Sequence, residues 1–105
     1  MLVKTQLGFP DTPFVEIPLQ RGMKTIVDPD WFDYLNGFHW YAKKSRGKWY
    51  ACRKVRAGDK VYFIRMHRVI AATIPSEIPH HINDNSLDNR SANLQNMTYN
   101  ERKRG

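Results

Sequence analysis

The chain has a single cysteine, Cys52, in 105 residues. That excludes an internal disulfide framework and a cysteine-built zinc site, and a reducing cytoplasm is the expected compartment. No apolar run approaches the length of a membrane span. The N-terminus also lacks the basic region and long apolar stretch of a signal peptide, so the protein is expected to stay inside the cell that makes it. Acidic residues are few: 10 Asp and Glu against 17 Lys and Arg leave a formal net charge of +7. Such a balance points to a polyanionic partner rather than a small acidic substrate. The length suits one domain or two small modules sharing a core, and 41% hydrophobic residues support a modest one.

The positive charge is concentrated. Lys43, Lys44, Arg46, Lys48, Arg53, Lys54, Arg56, Lys60, Arg65 and Arg68 face a single acid, Asp59, in the same interval. A solvated basic surface accounts for any one of them. For the cluster, contact with DNA is the better explanation.

In chain order, residues 1–13 carry Gly8, Pro10 and Pro13 and read as a flexible arm. Residues 14–19 alternate, Arg21-Gly22 turns, and 24–27 runs back, which predicts a hairpin. Asp28 as N-cap, Pro29 at the first helical position and Asn36-Gly37 at the stop predict a short helix. Its apolar face is Trp31, Leu35 and either Phe32 or Tyr34. Residues 38–42, 49–55 and 61–64 are aromatic and β-branched, joined by loops at 43–48 and 56–60, and predict a three-stranded antiparallel sheet. Residues 65–74 predict a helix with Met66, Val69, Ile70 and Thr73 buried, ended by Pro75. His39 and His67 read as structural histidines, the latter hydrogen-bonded.

The last third is different. Pro79-His80-His81-Ile82 reads as a short strand anchored by Ile82, and residues 83–90 as an Asn/Asp/Ser loop bonded to its own backbone, pinned by Leu87 and Leu94. A second short strand follows near 93–95. Thr98 and Glu101 form a capping box, so a helix is expected to begin near Tyr99. Neutral imidazole takes a proton from water near pH 7, and a divalent ion stabilises charge developing on phosphate. Together they suit phosphodiester hydrolysis. Successive strand residues face opposite ways, so His80 and His81 share a site only where the strand twists or ends.

At His81, Ile82, Asn83, Asn85, Leu87, Asp88, Asn89, Arg90, Asn93, Leu94 and Thr98 the sequence resembles the HNH endonucleases of the phage and intron-encoded kind, whose site reads H-I-N-x-N-x-x-D-N-R-x-x-N-L followed by Thr. The resemblance implies a C-terminal ββα-metal motif at 79–104, His81 as general base, and Asn93 as the asparagine bracing loop and histidine. It places a divalent ion, Mg²⁺ or Mn²⁺, on the residue before that histidine and one on the final helix. Here these are His80, where the branch has Asp, and Asn100, because Arg102 stands at the usual helix position and offers no lone pair. A histidine donor widens the choice to Ni²⁺ or Zn²⁺. Residues 17–22, 27–35, 40–44 and 66–71 look like phage proteins joining such a nuclease to a sheet similar to the three-stranded DNA-binding domain of plant ethylene-response factors.

The fold class expected is α+β: a small antiparallel sheet with short helices at 14–64 for DNA binding, then a nuclease region at 65–105. DNA is the expected partner, met by a monomer through Lys43, Lys44, Arg46, Lys48, Arg53, Lys54, Arg56, Arg65, Arg68, Arg90 and Arg102. Arg90 or Arg102 is also expected to meet charge on the phosphorane. Two other readings stay open: a DNA-binding module with a degenerate nuclease site, for which Arg102 speaks, and a protein active only when docked on a phage packaging or replication complex.

Overall fold

A computed structural model describes residues 12–99, so most of the expected arm, the helix after Tyr99, and Asn100 and Arg102 lie outside the described residues. The fold is α+β, with three small antiparallel sheets and short helices. β1 (Val15–Pro18) pairs with β2 (Lys24–Val27) across a 3₁₀ turn at Gln20–Gly22. Arg21 and Gly22 in that turn both take positive φ, 63° and 72°. Gln20 then clamps the hairpin to the next sheet, its amide accepting from Ala42 N and donating to Ala42 O, each at 2.7 Å.

Helix α1 (Pro29–Leu35) starts at proline as expected, but Asp28 does not cap it with its side chain. Its carboxylate instead accepts from Ser91 N at 2.8 Å, satisfying an amide of the turn Ser91–Asn93. Of the two candidates for the apolar face, Phe32 packs on the core and Tyr34 is exposed. Residues 38–40 are not strand: they cover the end of α1, where Trp40 Nε1 donates to Leu35 O at 2.8 Å.

β3 (Tyr41–Ser45), β4 (Lys48–Ala57) and β5 (Lys60–Arg65) form the three-stranded sheet. The loop expected over 43–48 closes to two residues, Arg46 and Gly47, at φ 52° and 83°. Positive φ at both positions matches the twist of the flanking strands. Helix α2 (Met66–Ile70) stops well short of Pro75. Thr73 N bonds Arg68 O and Ala72 N bonds Val69 O, with Ala72 at φ 51°. This is a Schellman termination with alanine in the left-handed position.

β6 (Glu77–His81) and β7 (Leu94–Thr98) pair in register, His80 opposite Gln95 and His81 opposite Leu94. Ile82, expected as an apolar anchor, lies past the strand and is exposed. The loop between these strands is anchored by the distant β2: Ile26 N donates to Leu87 O at 3.0 Å and Asn89 N to Ile26 O at 2.8 Å. The shared core is Ile17, Leu19, Val27, Leu35, Trp40, Ala42, Ala51, Met66 and Ile70, with Leu87 and Leu94 packed against it. No helix among the described residues is long and apolar enough to cross a membrane.

Candidate functional site

Loop 83–90 is built from its own side chains. Asn83 Oδ1 accepts from Asn85 N at 2.9 Å and Asn85 Oδ1 from Leu87 N at 3.0 Å, two successive turns closed by asparagine. Asn83 Nδ2 donates to Asp88 Oδ2 at 2.7 Å. Asn93, fully buried, accepts from Asn83 N through Oδ1 and donates through Nδ2 to Asn83 Oδ1 and Asp88 O. It braces the loop as expected. It does not brace the histidine with its side chain.

Arg90 is a correction. Expected on DNA and at the phosphorane, it is 2% exposed. Its Nε and Nη2 grip the two oxygens of Asp88 at 2.9 and 2.7 Å, and Nη1 donates to Thr12 O at 3.2 Å. An arginine used bidentately and sealed from solvent is out of a phosphate's reach. Burial works to raise the Asp88 carboxyl, but bonds from Arg90 and Asn83 outweigh it and hold the pKa below the usual carboxylate value.

His81 ends β6, and its orientation follows from a chain of hydrogen bonds. Thr25 Oγ1 has one proton, which goes to Leu87 O at 2.7 Å. Toward Asn89 it can only accept, so the amide at 3.0 Å is Nδ2. That leaves Asn89 Oδ1 facing His81 Nε2 at 2.8 Å. A carbonyl oxygen accepts, so Nε2 carries the proton and Nδ1 keeps its lone pair; the tautomer is thus assigned from the network. Among the described residues Nδ1 makes no hydrogen bond. Burial lowers the His81 pKa against opposition from Asn89 and Asp88, which keeps the ring neutral at pH 7.

His67 stacks on His81, with ring centroids 4.9 Å apart, and on Tyr50 at 5.4 Å. Contrary to expectation it has no hydrogen bond among the described residues; stacking holds it. Burial above all, then neighbouring positive groups, lowers its pKa to about 3. His39, expected to be structural, is exposed.

Both members of the histidine pair, the last two residues of β6, line one cavity of about 420 Å³. Arg46, Lys48, Tyr50 and Asp84 are the other polar residues that line it among the described residues. Comparison with protein-family models, curated proteins and solved structures finds no match. The reading of the cavity therefore rests on its chemistry.

For a divalent ion, His80 brings a nitrogen donor and Asp84 a carboxylate to the same space. No group of three or more His, Cys, Asp or Glu able to hold a metal exists among the described residues. This donor pair fits an ion that keeps most of its water.

The expected DNA-binding residues divide by face. Register places Lys43, Lys48, Lys54, Arg56 and Arg65 on one side of the three-stranded sheet with Tyr50, whose ring lies 6.3 Å from His81. Arg46 lines the histidine cavity and, with Arg65 and Arg68, a neighbouring one of about 490 Å³. Lys44 and Arg53 fall on the opposite face, near Trp49 and Phe38. They are off the path to the histidines.

Asn89, Thr25 and Asp84 were not singled out by the sequence. Asn89 stood inside the recognised motif, while Thr25 lies 64 residues from the asparagine it orients. No local pattern marks such a residue.

Proposed function

We propose that the chain is a metal-dependent DNA endonuclease of the HNH type that nicks one strand at a time. One observation carries this reading: a buried network engages His81 through Nε2–H, which leaves Nδ1 of the neutral ring free to take a proton, in a cavity that Arg46 and Lys48 also line. A general base near pH 7 needs that form. The motif around His81 adds the resemblance to HNH nucleases, in which β6, loop 83–90 and β7 correspond to the two strands of a ββα-metal site.

In the reaction, Nδ1 of His81 takes a proton from water as the water oxygen bonds to phosphorus. The phosphorus–oxygen bond to the leaving strand breaks, and the departing oxygen takes a proton from solvent. Asn89 holds the ring through Nε2–H and favours the imidazolium as it forms. A divalent ion, held by His80 with Asp84 or Asn100, would neutralise charge on the phosphate. Lys43, Lys54, Arg56 and Arg65 hold the duplex on the face leading to the cavity.

Supercoiled plasmid with Mg²⁺, Mn²⁺, Ni²⁺ or Zn²⁺ tests this. Wild type should yield open circles that EDTA prevents, and His81→Ala should lose about a thousandfold or more in rate with DNA affinity within a few-fold. Binding without cleavage in every metal would instead favour the DNA-binding module.

A further inference from the structure

Lys48, expected in a loop, is the first residue of β4, and its ammonium meets Asp84 in the lining of the histidine cavity. The two-residue turn at Arg46 and Gly47 starts β4 at Lys48, beside the cavity rim. Ser86 Oγ donates to Trp49 O, tying the start of β4 to loop 83–90. The strand carrying Lys48 is thus fixed to the loop that follows His81. Lys48 Nζ binds Asp84 Oδ1, and Asp84 takes a left-handed backbone, φ 65°, with its amide on His81 O at 2.9 Å. A carboxylate is the closest side-chain counterpart of a phosphate oxygen.

The ion pair is exposed, with the two side chains 44% and 80% accessible. Exposed pairs contribute little, so an incoming phosphate can displace this one. Among the described residues, Lys48 and Arg46 are the two Lys or Arg side chains lining the cavity that holds both histidines.

We propose that this cavity is a phosphate site whose ligand is Lys48, with Asp84 holding the ammonium in the free protein. The inference rests on the nuclease reading for the identity of that phosphate, which is the one being cut. Lys48 then stabilises the negative charge that grows on its oxygens, and the sheet supplies part of the reaction as well as the grip on DNA.

The test compares wild type, Lys48→Met and Lys48→Arg in plasmid nicking, alongside NMR titration of each with thymidine 3′,5′-bisphosphate. Lys48→Met should lower kcat about 100-fold, the scale of losing one transition-state donor, with DNA affinity within about threefold. Lys48→Arg should recover most of the loss. The bisphosphate should perturb Lys48, Gly47 and Asp84 in wild type and bind at least tenfold more weakly to Lys48→Met. Nicking by Lys48→Met at the wild-type kcat overturns the proposal and leaves the nuclease reading intact. A wild type that does not nick, but whose bisphosphate binding depends on Lys48, loses the nuclease reading and keeps the phosphate site. Equal bisphosphate binding by wild type and Lys48→Met, without nicking, overturns both.

Discussion

Residues 88–90 with Asn93, and the outer half of the β4–β5 hairpin, are both rich in polar side chains, yet the first set is buried and the second open. Asp88, Asn89, Arg90 and Asn93 are buried and each is held by hydrogen bonds to its neighbours, while Lys54, Arg56, Lys60, Tyr62 and Phe63 stand in solvent. Buried polar groups are tolerable only when satisfied, and satisfied ones fix geometry. Exposed cations fix nothing but attract a polyanion at long range. The first region can set the angle of an imidazole; the second can gather DNA and adapt to it.

Arg90 offers the hardest break of that contrast. Arg90→Ala leaves the buried Asp88 carboxylate unpaired and should destabilise the fold by about 3 to 5 kcal/mol. Urea denaturation should show a lower midpoint with an unchanged slope. Full stability with weakened DNA binding would return Arg90 to the phosphates.

Acid should strain the same region next. The unfolded chain protonates His67 near 6.5 and the folded one near 3, so between those values the unfolded state binds more protons. Stability is therefore complete above about pH 6.5 and falls as pH drops, by about 2 kcal/mol at pH 5 from His67 alone. His81, also lowered, adds in the same direction. Urea midpoints at pH 7 and 5 measure it, and His67→Phe should flatten the difference.

The open region should respond through DNA alone. Removing Lys54 and Arg56 together should weaken duplex binding severalfold and reduce the salt slope by about 2. Removing Lys44 and Arg53, on the other face, should leave that slope unchanged. Fluorescence anisotropy across a salt series separates the two.

Most elements were legible because their signals are local. Alternation marked the first hairpin, aromatic and β-branched residues marked the sheet, Pro29 marked α1, and Asn/Asp/Ser composition marked a self-bonded loop. What escaped was decided by distant partners. Asp28 looked like a cap until Ser91 took its carboxylate, and Arg90 looked like a DNA ligand until Asp88 and Thr12 took its guanidinium. The resemblance gave Asn93 both the loop and the histidine; the fold leaves it the loop and gives the side-chain bond to the histidine to Asn89. Helix α2 ends at an alanine in the left-handed region, a conformation that composition gives no reason to expect.

The most direct measurement is the tautomer of His81, from ¹⁵N chemical shifts of its imidazole at pH 7. A neutral ring with the proton on Nε2 is the result expected if Thr25 and Asn89 preset the base. A proton on Nδ1, or an imidazolium, would contradict the assignment and remove the base from the proposed reaction.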